Sequence, residues 1–182
     1  MSKDFSGITK GEFLRIAPGD LDGLDAEVGV RGEGTLSVVY FLRNKTQEPR
    51  GDASLRAFYR YLLREVEGEC TCVLGLKMEL MGEKTACLSQ IERNNAKKFM
   101  GVGRKFIEGL LQLLVSRGRK FLILTPISDA LETYYASLGY APYAEWTSDD
   151  KREIDKDYTS WSLGEEDLFD INKQRMMMKK IS

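Results

Sequence analysis

The stretch from Lys97 to Gly118 constrains this chain more than any other, because it joins a glycine-containing turn to an amphipathic helix. Gly101 and Gly103 flank a single residue of the turn. Apolar residues then recur at helical spacing, at Phe106, Leu110, Leu113 and Leu114. The first backbone N–H groups of a helix have no internal partner and lie at the positive end of the helix dipole. The stretch therefore predicts a place where main-chain amides bind phosphate.

Two common phosphate-binding motifs are excluded at this turn. A dinucleotide-binding fingerprint needs a third glycine where Phe106 stands, and a P-loop needs a Gly-Lys-Ser/Thr sequence that is absent. Basic residues nevertheless surround the two glycines: Lys97, Lys98, Arg104 and Lys105. The turn considered alone fits a basic loop before a packing helix equally well.

The turn resembles the pyrophosphate-binding signature of GNAT-type N-acetyltransferases, Gln/Arg-x-x-Gly-x-Gly/Ala, in the form Lys98-Phe-Met-Gly101-Val-Gly103. An apolar run from Arg119 to Thr125 follows, as expected for a buried strand after a helix that stops at Gly118. The next stretch is similar to the second motif of the same family, a short helix that carries Tyr134-Tyr135-Ala-Ser-Leu-Gly139-Tyr140. The order of the two motifs strengthens the resemblance.

The resemblance implies an α/β (α+β) fold of the GNAT type, with a central, mostly antiparallel, mixed and partly splayed sheet and helices on both faces. We expect one domain over residues 1–182, with a core of about 12–163 and a C-terminal extension at 164–182. The implied reaction is the transfer of an acetyl group from acetyl-CoA to a primary amine of a small molecule or a protein, by direct attack in a ternary complex. The alternative is a non-catalytic binding or regulatory module of this fold that still binds coenzyme A.

The resemblance also assigns the residues that would hold the acetyl-CoA co-substrate. Backbone groups from Phe99 to Arg104 would bind the pyrophosphate, with Lys98 in place of the usual Gln or Arg. Backbone near Ile91 to Arg93 would hold the pantetheine arm. Ser128 replaces an asparagine that often contacts coenzyme A in the family, and the neighbouring Asp129 could cap the helix. The complete predicted set is Ile91, Glu92, Arg93, Lys98, Phe99, Met100, Gly101, Val102, Gly103, Arg104, Ser128 and Tyr135.

Two side chains are candidates for proton transfer. Glu92 lies a few residues before the glycine turn and is the first choice for a general base, with Glu79 as the second choice. By the resemblance, Tyr135 would protonate the thiolate of coenzyme A as it leaves. Both glutamates also fit solvent-facing positions on a strand, and Tyr135 also fits a core position.

Composition narrows the classes of function. The chain contains no histidine, which excludes Ser-His-Asp and Cys-His catalysis and histidine-ligated zinc. The formal net charge is −1, with both signs mixed, and this argues against general nucleic-acid binding. Cys70, Cys72 and Cys87 are predicted to be reduced thiols, and no metal site is predicted. Without a segment that could cross a bilayer or serve as a signal, we expect a cytoplasmic protein and no membrane partner. The sequence does not identify the amine acceptor and does not decide whether the protein forms a homodimer.

Other patterns predict the remaining elements. The region from Glu12 to Leu24 predicts a short strand, a turn and the start of a helix, and the glycines near Gly29 predict a loop. Thr35 to Phe41 fits a strand or a buried helix, and we favour the helix. A helix is expected from about Ala53 to Glu67, followed by two strands, Glu69–Leu80 and Thr85–Glu92. For the C-terminal part we expect a charged connector at 147–157, a last strand at 158–163, and a helix or tail at 164–182.

Overall fold

The protein is described by a computed structural model, which covers residues 7–17, 21–31, 34–43, 52–64, 66, 68–162 and 173–181. The helices are α1 (Lys10–Ile16), α2 (Asp52–Leu63), α3 (Val102–Ser116), α4 (Asp129–Ser137) and α5 (Ser148–Ser162). The strands are β1 (Leu24–Arg31), β2 (Thr35–Arg43), β3 (Cys70–Met81), β4 (Thr85–Arg93), β5 (Phe121–Leu124), β6 (Ala141–Pro142) and β7 (Met177–Lys180). Three short 3-10 helices, at Lys97–Phe99, Tyr143–Glu145 and Lys173–Arg175, complete the described elements.

The predicted fold class, a mixed and mostly antiparallel sheet combined with helices, is confirmed. The seven strands lie in the order β1-β2-β3-β4-β5-β7-β6. Strand β1 pairs antiparallel with β2, and β7 pairs antiparallel with both β5 and β6. Strands β4 and β5 pair in parallel, and their register runs from Thr85 opposite Phe121 to Leu88 opposite Leu124. Strand β4 continues beyond this paired segment to Arg93.

The chain divides into two compact units, one formed by Ser2–Met78 with Gln90–Leu113 and the other by Glu79–Ser89 with Leu114–Ser182. Helices cover both faces of the sheet in the first unit. Tyr40 of β2 donates its hydroxyl proton to the carbonyl oxygen of Phe13 in α1 (2.9 Å), and its ring packs edge-on against Phe106 of α3. The next residue, Phe41, faces the other side and packs with Leu55 and Tyr59 of α2. This alternation is that of a strand buried on both faces.

The second unit is built around the C-terminal strand. Ile154 and Tyr158 of α5, four residues apart on one helix face, pack with Phe121 and Ile123 of β5, and Met178 of β7 joins the same cluster. Trp146 is buried there too and donates its indole N–H to the carbonyl oxygen of Ala141 (2.9 Å).

Several element predictions are wrong. The region at Glu12 is part of helix α1, which begins after a capping box formed by Thr9 and Glu12, and the glycine-containing stretch that follows contains strand β1 rather than a loop. Thr35 to Phe41 is a strand, not a helix. Helix α5 (Ser148–Ser162) takes the place of most of the expected connector at 147–157 and of the expected last strand at 158–163, of which Leu163 lies outside the described residues. Within the expected C-terminal helix or tail, residues 177–180 form strand β7 instead.

The other element predictions agree with the structure. Helix α2, strands β3 and β4, helix α3, strand β5 and helix α4 lie where the patterns predict them, although α2 ends at Leu63. Gly118 stops α3 with φ near 74°, in the left-handed region that glycine favours.

Candidate active site

The end of strand β4 is held in place by Asn94, a buried residue that the sequence analysis did not select. Its backbone N–H donates to the carbonyl oxygen of Val73 (2.8 Å), and its side-chain Nδ2 donates to that of Cys72 (2.9 Å). The side-chain oxygen of Asn94 accepts from the N–H of Ala96 (2.9 Å). An asparagine directly after a strand is typical of such turns, so the signal was present in the sequence.

Arg93 ties the strand end to the turn that follows. Its Nη1 donates to the carbonyl oxygens of Asn94 (3.0 Å) and Phe99 (3.4 Å). Phe99 is fully buried and lies in the short 3-10 helix, so its side chain anchors the chain just before the two glycines. The route from β4 to α3 is therefore fixed on both sides by hydrogen bonds and by burial.

Gly101 provides the bend that begins helix α3. Its φ is 82°, a conformation that residues with a side chain rarely adopt, and a Cβ at this position would have no atom within 4 Å. Among the described residues, the backbone N–H groups of residues 101–104 have no hydrogen-bond acceptor, and the first N–H bonded back into the turn is that of Lys105, to the carbonyl oxygen of Gly101 (3.2 Å). The predicted row of unpaired amides at a helix N-terminus is thus present in the geometry.

The charged side chains around the turn are solvent-exposed. Lys98 holds its Nζ 4.9 Å from the ring centroid of Phe99. Arg104 pairs with Glu108 one helical turn later (3.3 Å), and both side chains are more than half exposed. An exposed pair of this kind contributes little to stability, so Arg104 can exchange it for an anion at small cost.

Glu92, the first candidate for the general base, lies on β4 and is half-buried. Its Oε1 accepts a hydrogen bond from Nε2 of Gln90 (2.8 Å), two residues earlier on the same strand face. Glu79, the second candidate, belongs to the other compact unit. In that unit, burial raises the pKa of the Cys87 thiol to about 12. The negative charge of Glu79 also raises this pKa, and a hydrogen bond with Ser89 lowers it.

Ser128 is the N-cap of helix α4, and Asp129 is not. The Oγ atom of Ser128 accepts a hydrogen bond from the backbone N–H of Leu131 (3.3 Å). Asp129 instead lies in the first turn of the helix, where its carboxylate is 3.5 Å from Nη2 of Arg175. The prediction that Asp129 caps the helix is therefore wrong, and the cap lies one residue earlier.

Tyr135 is buried in a cluster of tyrosine rings. Its ring lies edge-on to those of Tyr134 (5.3 Å between centroids) and Tyr140 (5.5 Å). Burial raises the pKa of Tyr135 to about 12, with a smaller contribution from Tyr134. The hydroxyl therefore carries its proton at neutral pH and can act only as an acid there.

The compact units group the predicted residues in two sets. Residues 91–104, with Glu92, Lys98 and the glycine turn, belong to one unit, and Ser128 and Tyr135 belong to the other. In the part of the chain that the structure describes, no three Cys, Asp or Glu side chains lie together in a way that could hold a metal ion. No described helix is long and apolar enough to cross a membrane.

Comparisons with known proteins give matches among solved structures alone. No family model and no curated protein matches this chain. The chain is similar to a KacTA–DNA complex (9% identity, TM-score 0.49, covering 87% of this chain and 93% of the other). It is similar to a mutant AtaT toxin bound to acetyl-CoA and the C-terminus of the antitoxin AtaR (11% identity, TM-score 0.46, 88% and 94%). A third similar structure is nourseothricin acetyltransferase (15% identity, TM-score 0.39, 78% and 89%).

Proposed function

We propose that this chain is an N-acetyltransferase of the GNAT type that transfers an acetyl group from acetyl-CoA to a primary amine. The observation that carries this proposal is the turn at Gly101, where unpaired backbone amides at the start of a long helix follow a strand end that Asn94 holds rigid. Pre-oriented amides of this kind suit the pyrophosphate of coenzyme A. The two sequence motifs, in their order along the chain, support the same assignment.

In the proposed reaction, the acceptor nitrogen attacks the thioester carbonyl carbon. A C–N bond forms and the C–S bond breaks, so the electron pair of the C–S bond leaves with the sulfur. Glu92 takes the proton that the amine loses, and Tyr135 donates a proton to the thiolate. The backbone of residues 91–93 holds the pantetheine arm and polarises the carbonyl, while residues 98–104 bind the pyrophosphate and Ser128 lies at the second motif.

Paired glycine substitutions test the phosphate-binding turn. Gly101→Ala is expected to weaken acetyl-CoA binding at least about tenfold, because a strained φ displaces the amides and each lost charge-assisted hydrogen bond costs roughly 1.5–3 kcal/mol. Gly118→Ala is the matched control: it lies just after the other end of the same helix, also at positive φ (74°) and also with open space around a new Cβ. Both variants should lose about 1–2 kcal/mol of stability. Isothermal calorimetry with acetyl-CoA measures the difference, and equal dissociation constants in the two variants would contradict the proposal.

Tyr135→Phe tests the proposed acid. We expect turnover to fall about a hundredfold with unchanged acetyl-CoA binding, since only the proton donor is removed. Because the pKa of Tyr135 is raised to about 12, wild-type turnover should show no alkaline loss from this group below about pH 11. Tyr134→Phe, at the more exposed neighbouring ring, is the control and should keep its rate. Thiol release from acetyl-CoA with a panel of amines measures both variants, and wild-type turnover in Tyr135→Phe would remove this role.

Binding of acetyl-CoA without thiol release across the panel would assign the alternative, a non-catalytic module of the same fold. The panel holds a polyamine, an aminoglycoside and a basic peptide, because carboxylate-rich segments of the chain suit any cationic acceptor.

A further inference from the structure

Tyr59 of helix α2 holds a buried hydroxyl that has no hydrogen-bond partner in the described structure. The side chain is fully buried within an apolar cluster that includes Val39, Leu55 and Cys72. A buried hydroxyl without a partner costs roughly 1–3 kcal/mol, and such groups are rare in folded proteins. A phenylalanine would fill the same space without this cost, so the hydroxyl calls for an explanation other than packing.

The ring of Tyr59 lies directly on the backbone of strand β3 at Gly75. A Cβ added to Gly75 would come within 2.1 Å of Cε2 and 2.6 Å of Cζ of the tyrosine. Only glycine leaves room for the ring at this position. The ring therefore occupies the place where the side chain of residue 75 would otherwise point.

Glu92 lies on strand β4, which is next to β3 in the sheet. The N–H of Asn94 bonds to the carbonyl oxygen of Val73 (2.8 Å), and strands β3 and β4 run in opposite directions through a three-residue turn. Glu92 lies two residues before Asn94 on β4, and Gly75 lies two residues after Val73 on β3, so this bond places both residues in the same part of the strand pair. Because the ring of Tyr59 lies against β3 at Gly75, the ring and Glu92 belong to the same region of the β3–β4 pair.

Electrostatics agree with this placement. Burial raises the pKa of Tyr59 well above its usual value, and the negative charge of Glu92 raises it further, with a smaller effect of Tyr61. The Tyr59 hydroxyl thus keeps its proton at all moderate pH values and acts as a hydrogen-bond donor that lacks an acceptor. Gln90 already donates a hydrogen bond to one carboxylate oxygen of Glu92, and the other oxygen has no hydrogen-bond donor among the described residues.

We propose that Tyr59 is a positioning residue for Glu92: its hydroxyl donates a hydrogen bond to the second carboxylate oxygen when an acceptor amine is bound. This inference rests on the proposed function. Together with Gln90, Tyr59 holds the carboxylate in one orientation while Glu92 receives the proton of the amine. Tyr59 keeps its own proton throughout, and no bond to it forms or breaks.

Tyr59→Phe tests the proposal, because the variant keeps the ring on Gly75 and removes only the hydroxyl. We expect kcat to fall at least about tenfold, as misplacement of a catalytic group does, with the KM for acetyl-CoA unchanged. The midpoint of urea unfolding should stay the same or rise, since the lost hydroxyl had no partner. In a Glu92→Gln background the same substitution should cause no further loss of rate. Tyr61→Phe on the same helix is the matched control and should be neutral in rate. The amine used is the best acceptor among spermidine, an aminoglycoside and a basic peptide.

Three results would overturn the inference while leaving the proposed function intact: a Tyr59→Phe variant with the wild-type rate, an equal loss of rate in the wild-type and Glu92→Gln backgrounds, or a lower unfolding midpoint. The last would mean that the hydroxyl has a structural partner, such as a buried water. Absence of thiol release by the wild-type protein with every amine would instead overturn the proposed function, and this inference with it.

Discussion

Replacing Asp157 with alanine is expected to lower the free energy of unfolding by about 3–5 kcal/mol, the cost of breaking a buried ionic network from one side. Asp157 lies on α5, and its carboxylate is almost fully buried. It accepts hydrogen bonds from the backbone N–H groups of Glu83 (3.1 Å) and Lys84 (2.9 Å) and from the hydroxyl of Thr85 (2.8 Å). One carboxylate thus accepts hydrogen bonds from three consecutive residues at the end of the turn between β3 and β4.

A buried arginine makes the loss of Asp157 more costly. The guanidinium of Arg119 donates to the carbonyl oxygens of Gly82 (2.9 Å) and Thr85 (3.4 Å) at the same turn. Burial lowers the pKa of Arg119, and the charge of Asp157 opposes this effect. Without Asp157, two backbone donors lose their acceptor and the positive charge of Arg119 loses its nearby anion.

Urea denaturation followed by circular dichroism measures this effect, with the slope of the transition checked for a two-state process. Asp149→Ala is the matched control on the same helix, because its exposed carboxylate pairs, among the described residues, with the exposed Arg152 alone. That control should change stability by less than about 1 kcal/mol. Asp157→Asn keeps one acceptor oxygen and should fall between the two, which preserves the test if the alanine variant does not fold. Equal midpoints for Asp157→Ala and Asp149→Ala would contradict the prediction.

Local patterns predicted the middle of the chain well. From β3 to α4, the secondary structure agrees with the local sequence pattern. Apolar residues recur there at strand or helix spacing, and glycines with positive φ, such as Gly82, Gly101 and Gly118, lie at the turns. The glycine turn, the strand end at Glu92 and the helix with Tyr135 were therefore found from sequence. Asn94 and Tyr59 were not selected for the site, because their importance comes from contacts with strand β3. Gln90 was not selected because its role depends on a side-chain hydrogen bond to Glu92 that residue type alone does not indicate.

The elements that were wrongly predicted depend on contacts distant in sequence. Strand β2 is buried on both faces, so its apolar run shows no period that separates a strand from a helix. Helix α5 has few buried apolar residues, Ile154 and Tyr158 among them, on an otherwise charged surface, and so resembled a connector. Strand β7 is only four residues long and forms because Met177–Lys180 pair with β5, more than fifty residues earlier. Local propensity carries no signal for such a pairing.

Replacing Gly75 with alanine is the second substitution expected to have a large effect, with a loss of roughly 3 kcal/mol, at the upper end of the cost of overpacking a core. A methyl group at residue 75 would lie 2.1 Å from a ring carbon of Tyr59. The ring cannot turn away easily, because Tyr59 is fully buried against Leu55 and Cys72. The gain that alanine brings to a strand, about 0.5–1 kcal/mol, is too small to offset this clash.

Gly29→Ala is the matched control, since Gly29 is also a strand glycine that faces α2. A Cβ there would come within 2.5 Å of Cδ2 of Leu62, which is the far end of a flexible side chain and can rotate. Its cost should therefore be clearly smaller than that of Gly75→Ala in the same urea titration. If the clash is the cause, Gly75→Ala should lower the free energy of unfolding much less in a Tyr59→Leu background than in the wild-type protein. Additive losses would show instead that Gly75 is needed for the strand itself and not for the ring that lies on it.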